Sequence, residues 1–213
     1  MNLKRYHYIV IEGAIGTGKT SLAHNIANRL NCATLLEQPQ TNPFLQNFYS
    51  DMPRHGLSTQ LYFLFQRLEQ IDTVRFQQEK GHAIVSDFLF DKDQIFAEVT
   101  LSETERELYQ KIRQRLDPDL PIPDLVIYLQ ATPEILLKRI KQRGLPMEKG
   151  LSEDYLWRLT ERYLRFFHVY DQAPVMIINC EHLDFAHREA DLDLLLTRIE
   201  QMRSAREYFN INE

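Results

Sequence analysis

The sequence is poor in cysteine, in net basic charge and in long apolar runs, and each shortage excludes a class of protein. Two cysteines, Cys32 and Cys180, stand far apart in 213 residues. They offer no disulfide framework and no metal-ligand cluster, so a reducing compartment is expected and both read as core residues. The formal net charge of −5 excludes a protein whose affinity comes from neutralising the many phosphates of a nucleic acid polymer. A small anionic ligand stays compatible, because basic residues bunch locally from Lys138 to Arg143 (KRIKQR). No apolar run is long enough for a signal peptide or a membrane span, including the one in MNLKRYHYIVIEG, and the expected location is the cytoplasm.

What remains has ordinary globular proportions, with 44% hydrophobic and 26% charged residues. The length suits one domain, residues 1–213, with no linker. Short apolar runs at Tyr8–Ile11, Ala33–Leu36, Ala83–Val85, Leu125–Leu129 and Val175–Ile178 alternate with longer helical patterns. This predicts an α/β fold, a doubly wound parallel sheet of about five strands covered by helices on both faces. Leu61, Leu64, Phe65, Leu68 and Ile71 recur at helical spacing and give the helix after Gly56 one apolar face. Asn42-Pro43 and Thr132-Pro133 read as helix starts, and Ser102 with Glu105 as a capping box. Pro118, Pro121 and Pro123 crowd too closely for a helix or central strand and predict a loop between Asp117 and Asp124.

The chemistry begins at Gly13-Ala14-Ile15-Gly16-Thr17-Gly18-Lys19-Thr20, which fits G-x-x-x-x-G-K-[ST] directly after a strand and directly before a helical pattern. Glycines there let backbone N–H groups turn inward on phosphate oxygens, and the following helix adds its positive end. Lys19 supplies a point charge for the β- and γ-phosphates, and the Thr20 hydroxyl can ligate Mg²⁺. A guanine-nucleotide switch would carry a D-x-x-G segment and an [NT]-K-x-D motif, and neither is present.

In doubly wound sheets ligands lie beyond the carboxyl ends of the strands. That rule selects Glu37 after ATLLE and Asp87 after AIVSD. Glu37 can deprotonate an alcohol that attacks the γ-phosphate, and Asp87 can hold Mg²⁺ directly or through water. Arg139, Lys141 and Arg143, followed by Gly144 and Glu148, read as a lid at about 139–150 that brings cations onto a transferring phosphoryl group. The bland readings are a loop carboxylate in each case and a solvated basic helix end.

With these residues in hand, the chain closely resembles the deoxynucleoside kinase family, its bacterial members most of all, over nearly its whole length. The segments that carry the likeness are YIVIEGAIGTGKTSLA, LLEQPQTNPFLQNFY, TQLYFLFQR, SDFLFDKDQIFA, RIKQRGLPMEKGLSEDYL and PVMIINCEHLDF. The resemblance implies that Glu37 is the general base at the substrate 5′-hydroxyl, with Tyr49 and Glu148 gripping the sugar 3′-hydroxyl. It implies that Gln60 pairs with the base edge and that Arg67 and Asp93 form a second pair of base contacts, Asp93 after a one-residue shift. Arg139 and Arg143 would be the lid arginines, Asp87 would lie at the substrate and metal, and Asp184-Phe185 would line the adenine of ATP. A homodimer is implied as well.

Two departures stand out. Many members carry arginine after the acidic residue that follows the third strand, where it helps hold the reacting phosphate and hydroxyl. Here Asp87 is followed by Phe88, which leaves Lys92 or a lid residue to take that role. The lid reads Arg143-Gly144-Leu145, where many members end on arginine.

The reading that follows is a kinase with a P-loop NTPase-type sheet. It transfers the γ-phosphoryl group of Mg-ATP to the 5′-hydroxyl of a deoxynucleoside, with deoxyadenosine, deoxyguanosine or deoxycytidine favoured over thymidine. The alternatives are a nucleoside monophosphate kinase resembling thymidylate kinase and a non-catalytic nucleotide-binding regulator. The first needs arginine for a dianionic acceptor where this chain has Phe88. The second has no use for a base beside the γ-phosphate.

Overall fold

A computed structural model describes residues 3–116 and 119–210. Asp117 and Pro118, at the head of the proline-rich connection, lie outside the described residues; from Asp119 to Asp124 the chain has no helix or strand, as expected of a loop.

The chain runs β1 (Tyr8–Gly13), α1 (Lys19–Leu30), β2 (Ala33–Leu35), α2 (Leu45–Phe48), α3 (Met52–Glu79), β3 (Ile84–Ser86), α4 (Lys92–Thr100) and α5 (Glu103–Leu116). It continues through β4 (Leu125–Gln130), α6 (Pro133–Arg143), α7 (Glu153–Val169), β5 (Val175–Asn179), α8 (Glu189–Gln201) and β6 (Arg206–Phe209). One parallel sheet has the order β2-β3-β1-β4-β5-β6. Its sixth strand corrects the expectation of about five. Arg206–Phe209 (REYF) carries two charges and leaves Tyr208 60% exposed, so an edge strand wet on one side gave no apolar run to read.

The central strands are apolar at almost every position because both faces are covered. Tyr8 and Val10 of β1 pack beneath α7 with Tyr155, Leu159 and Tyr163, while Ile9 and Ile11 pack on the opposite side with Leu22, Ile26 and Leu195. Each such Leu or Ile contributes about 1.5–3 kcal/mol on leaving water. Glu12 interrupts this pattern yet is fully buried. Its carboxylate accepts from the Gly13 N–H (2.9 Å), the Leu89 N–H (2.8 Å) and the Tyr163 hydroxyl (3.0 Å). Three donors offset its desolvation and tie β1, the β3–α4 connection and α7 together.

Several local expectations are corrected. The helix read as starting after Gly56 starts at Met52, capped by Asp51, which accepts from the Arg54 N–H at 3.3 Å. Gly56 lies inside α3, where a Cβ would sit 3.0 Å from the Thr100 carbonyl oxygen; the glycine is there for close approach of α3 to α4, not as a boundary. Phe65 was assigned to the apolar face but is 50% exposed, whereas Leu64, Ile71 and Val74 are buried. Asn42-Pro43 does not open a helix: the Asn42 side chain accepts from the Phe44 N–H at 3.0 Å in an Asx turn, and α2 begins at Leu45. Cys180 is buried, but Cys32 is only partly so. The Ser102–Glu105 capping box forms as read, with the Ser102 N–H donating to Glu105 at 3.0 Å.

Candidate active site

The connection leaving β1 crosses over β3 to β2, while the connection leaving β3 crosses back over β1 to β4, and this change of direction opens a crevice beyond the carboxyl end of β1. Residues 13–20 turn there. Gly13, Gly16 and Gly18 have φ values of 151°, 89° and 92°, and a Cβ on Gly13 would lie 2.5 Å from the Leu129 carbonyl oxygen. Only glycine fits that position. Ala14 accepts from the Thr17 hydroxyl (2.9 Å) and from Lys19 Nζ (3.1 Å), which curls the loop around the space an anion would take.

Next to the loop is a cavity of about 260 Å³. Ile15, Gly16, Lys19 and Thr20 form its phosphate end, Glu37 and Asp87 its floor, Gln60, Phe63, Arg67 and Phe96 its far end, and Tyr49, Arg143 and Glu148 its rim. The structure therefore gathers seven of the expected residues outside the loop, Glu37, Tyr49, Gln60, Arg67, Asp87, Arg143 and Glu148, around one cavity. Asp93 is the exception at the base end. It is fully buried behind Arg67, to which it is paired, rather than at the cavity surface.

A second, more open space of about 550 Å³ lies across the loop. Gly16, Thr17 and Gly18 border it on one side and Asp184 and Phe185 on the other, while Arg143 lines both spaces. Arg139 faces only this second space, where its guanidinium donates to the carbonyls of Cys180 (2.7 Å) and Glu181 (3.3 Å). The Asp184 carboxylate accepts from the Ala186 and His187 N–H groups, both at 3.1 Å, and shapes the turn there. In the lid, Arg143 is paired with Glu148.

The Thr20 hydroxyl donates to Asp87 Oδ2 at 2.6 Å, and the Glu37 N–H donates to Asp87 Oδ1 at 2.8 Å. A hydroxyl beside a carboxylate at the foot of a phosphate loop is a hard-oxygen donor set and fits Mg²⁺.

The electrostatics centre on Glu37. Burial alone would raise its pKa, but the ammonium of Lys92 and then the guanidinium of Arg67 outweigh that and hold it at about 2. Arg67 Nη1 donates to Oε1 at 2.5 Å and Lys92 Nζ to Oε2 at 2.9 Å. Lys19 moves the other way: burial, then repulsion from Lys92, lowers it to about 8. A bound triphosphate would restore its charge. We therefore expect ATP binding to take up protons near pH 8 and its Kd to rise about tenfold between pH 7 and about 9, as free Lys19 loses its proton. Calorimetry in two buffers of different ionisation heat checks this, and a Kd level across that range would refute it.

Lys92 and Glu12 are the groups that motif reading passed over or left unassigned. Each carried a signal: a charge inside a buried strand for Glu12, and a lysine at the start of a helix for Lys92. Phe88, at the position where the resemblance expects arginine, is 3% exposed and packs in the core.

The sequence matches the family described as deoxynucleoside kinase over residues 9–203. It is 32% identical over 200 residues to the deoxyguanosine kinase of Bacillus subtilis (strain 168), covering 92% of this chain and 97% of that protein. It is 31% identical to the deoxyadenosine/deoxycytidine kinase of the same organism, with 90% of each chain covered. Among solved structures, a deoxyadenosine kinase from M. mycoides with products dCMP and a flexible dCDP bound superposes with a TM-score of 0.79. It shares 25% identity, with 92% of this chain and 100% of that one covered.

Proposed function

The chain belongs to the deoxynucleoside kinase family, and on that premise we propose that it transfers the γ-phosphoryl group of Mg-ATP to the 5′-hydroxyl of a deoxynucleoside, with Glu37 as the base. The observation that carries this reading is that Glu37 shares one cavity with Lys19 and Thr20 at one end and with Gln60 and Arg67 at the other. The cavity between the loop and α3, about 260 Å³, has room for a sugar and a base.

The amides of residues 13–18 and Lys19 hold the β- and γ-phosphates. Thr20 and Asp87 would hold Mg²⁺, which would supply charge that neutralises the phosphates. Glu37 accepts the hydroxyl proton as the 5′-oxygen attacks phosphorus and the bond to ADP breaks. Arg143, which faces both spaces, and Arg139, once released from its carbonyl partners, are the cations we place on the phosphoryl group. Tyr49 and Glu148 hold the 3′-hydroxyl, and Asp184 and Phe185 line the donor adenine. A phosphorylated acceptor is disfavoured, because Phe88 gives no guanidinium for a second dianion.

At the base end, Gln60 Oε1 and Arg67 Nε, on residues that line the cavity, are buried without a hydrogen-bond partner among the described residues. One acceptor and one charged donor suit an edge bearing an amino group or a purine nitrogen better than a methylated one, since a methyl group would leave polar groups unpaired. Deoxyadenosine, deoxyguanosine or deoxycytidine is expected to exceed thymidine in kcat/KM by about 10² or more. Steady-state rates of ADP release with the four deoxynucleosides check this, and thymidine as best substrate would overturn it. Parallel assays with the monophosphates test the acceptor class.

We assign the cytoplasm as its compartment and a homodimer as its assembly. Support for a dimer is the exposed apolar face of α7, where Trp157 and Leu164 stand seven residues apart, 55% and 52% exposed.

A further inference from the structure

Lys92 is placed where elementary physics disfavours a lysine. It is the first residue of α4, so its charge opposes the positive end of the helix dipole. It is also 4% exposed, so its ammonium has lost nearly all its water. An exposed lysine one turn further on would meet neither penalty. The offsetting contacts are the Glu37 carboxylate at 2.9 Å and the face of the Phe96 ring at 5.4 Å. A buried ion pair is weak support for stability in itself, since apolar residues of similar size commonly do as well. A local rule broken twice in one side chain marks a functional position.

The other cations of the site are committed elsewhere. Arg143 is paired with Glu148, Arg139 with the carbonyls of Cys180 and Glu181, and Lys19 with the phosphate loop. Arg67 approaches Glu37 from α3 but is shared with Asp93. Lys92 alone comes to Glu37 from the α4 side, and it lines the same cavity as Lys19, Asp87 and Arg143.

We propose that Lys92 is the positioning residue of the phosphoryl transfer: it fixes the Glu37 carboxylate in one orientation against the attacking hydroxyl. This rests on the kinase reading above. With Oε2 held by Lys92 and Oε1 by Arg67, the carboxylate cannot rotate, and each oxygen keeps a lone pair for the alcohol proton. Little basicity is needed where the transition state is loose and the proton leaves late; orientation is what counts. Lys92 thus fills the role left open by Phe88 from a different backbone position, four residues on.

The groups that face Glu37 are Lys92 from α4, Arg67 from α3, Lys19 from the phosphate loop, and the Tyr49 and Tyr163 phenols from the α2 end and α7.

The test is Lys92→Met beside wild type and Lys92→Arg, with kcat and both KM values measured for each. We expect kcat to fall about 10²-fold or more in Lys92→Met with the KM for ATP changed less than about threefold. Lys92→Arg should recover a substantial part of kcat. Should Lys92→Met not fold, Lys92→Gln, which keeps donors to Glu37 without the charge, carries the same measurements. Wild-type turnover that the folded variant leaves unchanged, or a loss that falls on the two KM values and not on kcat, would overturn the proposal. A wild type with no deoxynucleoside-dependent turnover would instead sink the kinase reading.

Discussion

Replacing Glu37 by glutamine is expected to lower kcat by about 10²–10⁴-fold while ATP still binds. Glutamine matches the shape of the carboxylate and keeps an acceptor for Lys92 or Arg67, but it cannot take a proton from an attacking alcohol. Three cations converge here, from Lys19, Arg67 and Lys92, so loss of the carboxylate makes the pocket more positive. An ATP Kd unchanged or somewhat tighter is therefore expected, opposite in sign to what general damage to the site would give. The loss should fall on kcat, because the base is used only in the transition state. Rapid-quench single-turnover rates separate the chemical step from product release. A single-turnover rate within a factor of about three of wild type would remove Glu37 from the mechanism.

That a carboxylate would stand at this position was legible, because the rule placing ligands beyond strand ends needs only strand boundaries: Asp87 follows β3 directly and Glu37 stands two residues past the end of β2. The phosphate loop was legible for a stricter reason: left-handed backbone at Gly16 and Gly18, and the 2.5 Å approach to Leu129 at Gly13, admit only glycine. What escaped depends on tertiary partners. Phe65 obeys the helical period of α3, but α3 meets its neighbours along a stripe centred on Leu64, Arg67 and Ile71, one of them charged. A hydrophobicity pattern cannot assign Arg67 to a buried stripe, since only Glu37 and Asp93, 30 and 26 residues away, make its burial tolerable. The β6 strand escaped for the opposite reason, being too polar and too exposed to look like a strand. Lys92 and Glu12 belong with Arg67: their meaning lies in what they touch, which spacing does not record.

The Arg67–Asp93 pair carries the second large expected effect, and it concerns stability. Asp93 is fully buried and Arg67 is 2% exposed. Removing the carboxylate in Asp93→Ala leaves a guanidinium in a dry site with Glu37 as its sole remaining anionic partner. Breaking a buried pair in this way costs about 3–5 kcal/mol, and the surviving contact to Glu37 puts the expectation near 3 kcal/mol. The double variant Arg67→Met/Asp93→Leu removes both charges. It should recover roughly half of that loss, because the desolvation of both ions is no longer required. Urea unfolding checks the pair of values; a loss below about 1 kcal/mol in Asp93→Ala would show that Glu37 alone holds Arg67. The two variants should part company in catalysis. Arg67 joins α3 to α4 at the base end of the cavity, and α4 carries Lys92 one residue before Asp93. The stable double variant is therefore expected to have kcat/KM lowered at least about tenfold for its best deoxynucleoside, with discrimination against thymidine reduced as well. Recovery of stability without recovery of selectivity would separate two functions of one ion pair: it holds the wall of the pocket, and it presents that wall's charges to the base.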